Sequence, residues 1–200
     1  ENTVLKPFTR TIMSPNFSQL ISAPTAKDYQ PCAVDTLSTP IGVLQLNANA
    51  YGLSHLTVVG SSRTEIPLKV ATDDELARAK SHIEQAKAQL QDYFRGELTE
   101  FHLSLAPKGT EFQQQVWQAL VQVGYGQSCS YGDIAQRIDR PKAVRAVGAA
   151  NGANPIAIIV PCHRIIGKNG QLTGYAYGLT MKQQLLMLES TSKGAHFTLE

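Results

Sequence analysis

Cysteine is scarce in this 200-residue chain, which contains only Cys32, Cys129 and Cys162. The number is odd, the spacing is wide and no two of them form a C-x-x-C pair, so the sequence excludes a disulfide framework. Such usage is typical of a reducing compartment, and we expect a cytoplasmic protein.

Long apolar runs are also missing. No stretch approaches the roughly 18 consecutive apolar residues that a membrane-spanning helix needs, and the N-terminus lacks the basic-then-apolar pattern of a signal peptide. We therefore expect a soluble globular chain with no membrane partner. Its length is enough for one large domain or two small ones.

The net charge is small, at +2, but it is unevenly distributed. Residues 1–100 contain 9 Lys and Arg against 11 Asp and Glu, whereas residues 101–200 contain 9 against 5. A positive second half suits a polyanionic partner, because Lys and Arg neutralise phosphates and release counterions. Chance scatter would produce the same imbalance, so charge alone does not decide the partner.

The first half of the chain predicts an N-terminal arm followed by a small α/β domain. Residues 1–33 are rich in Pro, Ser and Thr and show no sustained period, so we predict an arm without an assigned role. The next part predicts a domain over residues 34–102 that begins with three short antiparallel strands, at 34–37, 42–46 and 53–59.

A helix should follow these strands. Thr72 and Glu75 have the spacing of a capping box, and Gly96 marks the helix end after about residue 94. One face of this helix is apolar, with Leu76, Ala79, Ile83, Ala86 and Leu90.

The domain also contains three histidines. His55, His82 and His102 share it with Cys32, but their spacing matches no zinc pattern. We expect scattered, mostly exposed histidines, and a metal site in this domain is the alternative.

The second half predicts a linker at 103–109, a mostly helical domain at 110–190 and a tail at 191–200. Thr110 should cap a helix that ends at Leu120 or Val123 and contributes Trp117 to the core. Two short helices, at 131–138 and 143–151, have a helix-turn-helix layout. A last helix should run from a cap at Thr180 to Glu189.

The predicted helix pair is basic. Four cations crowd it against only two acids, and its second helix consists mainly of small residues around one arginine. Small side chains allow a helix to lie close against a groove wall, while one long guanidinium fills a gap in a base stack. Helix pairs are common, so the layout alone is weak evidence for DNA. The cations are Arg137, Arg140, Lys142 and Arg145, and the acids are Asp133 and Asp139.

Most of the reactive side chains occur in residues 154–178. Residues 156–160 are an unbroken apolar run that predicts a short buried strand ending at Pro161. Cys162, His163 and Arg164 follow directly. A thiolate is the strongest nucleophile among side chains, and it needs a nearby base because a free thiol is mostly protonated at neutral pH. An inert buried thiol is the alternative for Cys162.

Neighbouring residues on an extended chain point to opposite faces, so we do not expect direct contact between Cys162 and His163. Cys129 has no neighbouring base and we expect it to be structural.

Four short motifs in one order resemble a known family. They are Arg-Ala-Val-Gly at 145–148, Asn-Pro at 154–155, Pro-Cys-His-Arg at 161–164 and Gly-Tyr at 174–175. Together they resemble the O6-alkylguanine-DNA alkyltransferases, which move an alkyl group from guanine onto one of their own cysteines. The resemblance extends over about residues 34–189 and is closest from Phe112 onward. It implies a ribonuclease-H-like N-terminal domain and a helix-turn-helix domain that carries the active site.

The resemblance implies roles for five residues in the reaction. Cys162 would accept the alkyl group, and His163 would take the thiol proton through a water. Glu189 would orient the imidazole, and Tyr175 would donate toward the purine as charge develops. Asn154 would tie the helix pair to the active-site segment, although an ordinary turn residue before Pro155 is the alternative.

The resemblance also implies contacts with DNA in the minor groove. Arg145 would fill the space of the everted base, or make a plain phosphate contact, and Tyr131 would press on the target phosphate, or cap a helix. The backbone of Cys162 and Ile165 would read the guanine edge, and Arg164 would anchor the loop or a phosphate. The remaining candidates for substrate or DNA contact are Ala143, Gly148 and Tyr177.

One departure from the family concerns pocket size. Many relatives have Gly where this chain has Tyr177, so we expect a narrower pocket that accepts methyl groups more readily than benzyl groups. The implied partner is double-stranded DNA carrying O6-alkylguanine, with O4-alkylthymine open as a lesser substrate. The protein would act as a monomer, react once per molecule, and need no organic cofactor or metal.

Three other functions compete. A Cys-His-Glu hydrolase would use the same side chains, but no Gly-rich oxyanion loop precedes the cysteine. A lesion-binding protein without catalysis would lack the nucleophile, which is present here. A methylation-sensing transcription factor would need a regulatory domain, and residues 1–30 are too short to form one.

Overall fold

The computed structural model describes residues 29–191. Most of the predicted N-terminal arm, residues 1–28, and nearly all of the predicted tail, residues 192–200, lie outside the described residues. Cys32 and Ala33 are already buried in the core.

The first unit is a three-stranded antiparallel sheet in the order β1-β2-β3, as the sequence predicted. Leucines pair across it, Leu37 with Leu44 and Leu46 with Leu56, and all four are buried. The side chain of Asn49 closes the second turn by accepting hydrogen bonds from the backbone amides of Tyr51 and Gly52. The strands are β1 at Ala33–Thr39, β2 at Gly42–Asn49 and β3 at Gly52–Val58.

Helix α1, Asp73–Phe94, covers this sheet. The predicted capping box is present, since the Thr72 hydroxyl accepts from the Glu75 amide and the Glu75 carboxylate accepts from the Thr72 amide. Gly96 follows the helix with φ +71°, a conformation that costs glycine little. The predicted apolar face is buried at Ala79, Ile83, Ala86 and Leu90.

The second unit is mostly helical, and its first part consists of α2, α3 and α4, which contact one another. Trp117 on α2 is buried and its indole N–H donates to the carbonyl of Ala150, so its predicted core position is confirmed. The helices are α2 at Glu111–Val121, α3 at Tyr131–Arg137 and α4 at Val144–Gly152.

The last helix, α5 at Leu179–Ser190, starts earlier than predicted. The cap is Gly178, with φ 91°, and not Thr180. The sequence also gave no signal for a two-stranded parallel sheet formed by β4, Cys129–Ser130, and β5, Ile165–Ile166. Two-residue strands are too short to show a period.

The predicted strand at residues 156–160 is wrong. The segment is buried, as expected, but only Ile156 forms a bridge, to Leu56 of β3, and the residues after it form turns that include Ile158 at φ 68°. The amide of Asn154 bonds to the backbone at Ile156 and Val160 and thereby satisfies groups that a sheet would otherwise satisfy. Apolar runs report burial, and here burial does not require a strand.

The two units meet along β3. Its Leu53 bridges Leu105, and its Leu56 exchanges backbone hydrogen bonds with residues on either side of Ile156. The sheet is therefore fixed to the segment that leads to Cys162. None of the helices between residues 29 and 191 is both long enough and apolar enough to cross a bilayer.

Gly52 provides a test of this junction, because a Cβ there would lie 2.5 Å from the backbone oxygen of Ser104. We predict that Gly52→Ala lowers the free energy of unfolding by about 1–3 kcal/mol, measured by urea denaturation. Gly132→Ala in α3 is the matched control, since its nearest neighbour would be at 3.5 Å; it should be neutral or stabilising by up to about 1 kcal/mol. Equal stability of the two variants would contradict the predicted clash.

Candidate active site

Cys162 lies at the start of a single 3-10 turn, Cys162–Arg164, directly before β5. The expectation that it sits at the end of an extended strand is wrong, and so is the premise that Cys162 and His163 point to opposite faces of one. The two side chains nonetheless share no hydrogen bond among the described residues. The thiol is 5% exposed. Burial raises its pKa, although the Asn154 amide and the charge of Lys182 oppose that effect, so the resting group is a neutral thiol.

Behind the thiol lies a fully buried carboxylate, that of Glu189 on α5. Its Oε1 accepts from Nε2 of His163 at 2.7 Å, and Arg164 donates through Nε to Oε2 at 2.8 Å and through Nη2 to Oε1 at 3.0 Å. Burial alone would raise the pKa of Glu189, but these donors lower it to about 2. Glu189 is therefore ionised at every physiological pH.

This charge determines the tautomer of His163. An ionised carboxylate only accepts hydrogen bonds, so the proton of the neutral imidazole is on Nε2. Nδ1 keeps its lone pair, and it is buried with no hydrogen-bond partner in the described part of the chain. Burial lowers the pKa of His163, which favours the neutral ring. His163 is therefore an oriented base whose Nδ1 can accept a proton.

Arg164 has a structural role in this arrangement. Besides Glu189 it contacts the carbonyl of Val123, through Nη1 at 2.6 Å, and its guanidinium lies over the ring of Tyr125. It is buried, so the predicted anchoring of the loop fits, whereas contact with a DNA phosphate does not.

A cavity of about 260 Å³ opens beside Cys162. Tyr175 and Tyr177 form one wall, with ring centroids 5.7 Å apart, and both hydroxyls are buried without a hydrogen-bond partner among residues 29–191. Tyr131, Gly148 and other residues of the helix pair also line the cavity, and the Tyr131 hydroxyl accepts from the Thr173 hydroxyl at 3.3 Å. Unpartnered hydroxyls in a cavity can donate to a bound ligand.

The structure brings most of the predicted site residues together. Cys162, Asn154, Tyr175, Tyr177, Tyr131 and Gly148 line the cavity, and His163, Glu189, Arg164 and Ile165 lie buried behind it. Arg145 and Ala143 do not line it. They lie at the start of α4, where Arg145 is exposed. Tyr131 does not cap its helix, because Ser130 does.

Four residues of the site had not been identified from the sequence. Arg63, in the loop after β3, donates to the carbonyl of Gly152 at 2.6 Å and reaches into the cavity. Lys182 is buried and its Nζ donates to the carbonyls of Ile165 at 2.6 Å and Thr173 at 2.7 Å. Asn151 lines the cavity, and its Oδ1 is buried with no hydrogen-bond partner in the part of the chain that the structure describes. Tyr93, on α1, donates to Oε1 of Glu189 at 2.7 Å.

Of these four, only Tyr93 had a signal, since it continues the buried face of α1 three residues after Leu90. The other three depend on contacts between distant parts of the chain.

The histidines of the first unit lie elsewhere. His55 and His82 are partly buried rather than exposed, and burial lowers the pKa of His55 to about 4. Among residues 29–191, no three His, Cys, Asp or Glu side chains are placed to hold a metal ion.

Comparison with known proteins identifies the family. Residues 111–191 match the family model described as 6-O-methylguanine DNA methyltransferase, DNA binding domain. A methylated-DNA–protein-cysteine methyltransferase of Methanosarcina acetivorans is 49% identical over 154 residues, which cover 76% of this chain and 95% of that protein. Its counterpart in Mycobacterium tuberculosis is 45% identical over 164 residues, covering 82% and 96%.

A solved structure gives the same result. The crystal structure of Mycobacterium tuberculosis OGT in complex with DNA superimposes with a TM-score of 0.68 at 46% identity, covering 78% of this chain and 91% of that one. On these matches, the chain belongs to the methylated-DNA–protein-cysteine methyltransferase family.

Proposed function

We propose that this protein repairs DNA by moving an alkyl group, mainly methyl, from O6-alkylguanine to Cys162 in one irreversible step. The observation that carries the proposal is the thiol beside a cavity, backed by a neutral imidazole that an ionised Glu189 orients. The relatives at 45–49% identity are methylated-DNA–protein-cysteine methyltransferases, which supports the reaction class.

The proposed reaction is a displacement at the alkyl carbon. The sulfur forms a bond to that carbon while the carbon–O6 bond breaks and its electron pair goes to the purine. Nδ1 of His163 accepts the thiol proton through an intervening water, and the proton ends on guanine N1, which carries none in the alkylated base. The thioether that remains cannot be hydrolysed under cellular conditions, so each molecule reacts once.

Tyr175 and Asn154 support this step in different ways. The Tyr175 hydroxyl is buried and unpartnered, so it is free to donate toward the purine as negative charge develops. The Asn154 amide makes three hydrogen bonds to the turn that precedes Cys162. Asn154 itself lies two residues after the end of α4, which suits a link between the helix pair and the thiol.

The burial of Cys162 requires the target base to leave the duplex, because a stacked base cannot reach a thiol that is 5% exposed. We assign α3 and α4 as a helix-turn-helix that enters the minor groove. Arg145 is exposed at the start of α4, where it can occupy the space of the everted base. Tyr131 lies beside Gly148 and lines the cavity, and we propose that it presses on a phosphate of the target nucleotide. Ala143 precedes α4 and lets it lie close to the groove wall.

The remaining assignments are also proposals. We assign the sheet and α1 to a ribonuclease-H-like domain at 34–102, joined through 103–109 to the alkyltransferase domain at 110–190. We propose a cytoplasmic monomer that acts on double-stranded DNA, with the backbone of Ile165 and Cys162 reading the guanine edge.

A hydrolase and a silent lesion reader are less well supported. The names of the relatives indicate transfer to a cysteine and not hydrolysis, and a reader would have no use for the oriented imidazole beside Cys162.

Transfer of label tests the proposal. Incubated with a duplex that carries one tritiated O6-methylguanine, the protein should take up one methyl group per chain and then stop. Cys162→Ser should abolish uptake, while the control Cys129→Ser should keep it. Repeated turnover, or uptake that survives Cys162→Ser, would refute the assignment.

Tyr177 tests the size of the pocket. Its ring lines the cavity against Tyr175, so Tyr177→Gly should widen it. We predict that this change raises the rate with O6-benzylguanine relative to O6-methylguanine by about 10-fold or more. Tyr177→Phe keeps the ring and should leave the ratio unchanged. A wild-type protein that reacts equally fast with both adducts would show that Tyr177 does not limit size.

A further inference from the structure

We propose that the hydroxyl of Tyr93 is a positioning group for alkyl transfer, which acts by limiting how strongly Glu189 attracts the proton of His163. The inference rests on the proposed roles of Cys162 and His163. It assigns part of the active site to α1, a helix of the N-terminal unit.

The geometry places Tyr93 on the same oxygen as His163. The Tyr93 hydroxyl and Nε2 of His163 each lie 2.7 Å from Oε1 of Glu189, and Nη2 of Arg164 lies 3.0 Å from it. Tyr93 is 0% exposed, so no water competes for this hydrogen bond. Hydrogen bonds to a buried carboxylate are charge-assisted and are stronger than those between neutral groups.

The ring of Tyr93 is packed among other aromatic rings. Three aromatic rings surround it, with centroid distances of 5.2 Å to Phe94, 5.4 Å to Phe101 and 6.0 Å to Tyr125. Packing alone would be satisfied by a phenylalanine at this position. The hydroxyl therefore has a role that packing does not explain.

The three donors share the charge of one oxygen. When Tyr93 withdraws part of the negative charge on Oε1, less remains to stabilise a protonated His163. Without the hydroxyl, Glu189 would favour the imidazolium, and an imidazolium cannot accept the proton of Cys162. Tyr93 thus favours the neutral ring that the reaction requires.

Several other ionisable groups also surround His163 and Glu189, and their charges influence the same pH profile. From α5 come Glu189 and Lys182, from the 3-10 turn Cys162 and Arg164, from the segment before β4 Tyr125, and from the loop before α5 Tyr175. Of Tyr93, Tyr125 and Tyr175, it is Tyr93, on α1, whose hydroxyl donates to the Glu189 carboxylate.

The test is the pH dependence of methyl transfer from a duplex with one tritiated O6-methylguanine. The rate falls on the acid side as His163 becomes protonated. Tyr93→Phe should raise the pKa of His163, and should move this acid limb to higher pH by about one unit. Tyr125→Phe is the matched control, because the Tyr125 hydroxyl bonds to the carbonyl of Leu188 at 3.4 Å and not to Glu189; its acid limb should coincide with that of the wild type.

A second variant should shift the acid limb in the opposite direction. 3-Fluorotyrosine at position 93 is a stronger donor, and it should move the acid limb to lower pH. A purely structural role would lower the rate at all pH values without moving the limb, and that result would overturn the inference. If the phenylalanine variant fails to fold, the fluorotyrosine profile decides alone. Absence of label on Cys162 in the wild type would instead refute the proposed function.

Discussion

The buried charge of Glu189 is the constraint on which the rest of the site depends. An ionised carboxylate removed from water costs several kcal/mol unless donors surround it. Here the donors come from distant parts of the chain: His163 and Arg164 from the 3-10 turn and Tyr93 from α1. The carboxylate thereby joins the last helix, the reactive turn and the N-terminal unit.

The buried site also favours the neutral forms of Cys162 and His163. Burial raises the pKa of the thiol and lowers that of the imidazole, and Nδ1 of His163 has no hydrogen-bond partner within residues 29–191. On the proposed mechanism, a buried thiol would react slowly with solutes that cannot enter the cavity, and a base that has left the duplex would reach Cys162. Lys182 connects β5 to the loop that carries Tyr175 and Tyr177, because its Nζ donates to a carbonyl in each.

Local signals in the sequence predicted most of the fold. The capping box at Thr72, the apolar face of α1 and the three strands depend on residues close in the chain, and they were found. The strand at 156–160 was wrong because the Asn154 side chain and turns within the segment satisfy much of its backbone, while β3 pairs with it at a single bridge. Cys162 and His163 were identified as candidate site residues because they are neighbours in the sequence. The hydrogen bonds of Tyr93, Arg63 and Lys182 were not predicted, because these residues have partners 96, 89 and 17 residues away in the chain.

The tautomer of His163 tests the central claim most directly. Nitrogen-15 NMR of the unreacted protein at neutral pH distinguishes a protonated ring nitrogen from one that keeps its lone pair. The account predicts a neutral ring with the proton on Nε2 and a bare Nδ1. A proton on Nδ1, or an imidazolium at neutral pH, would contradict the role assigned to Glu189.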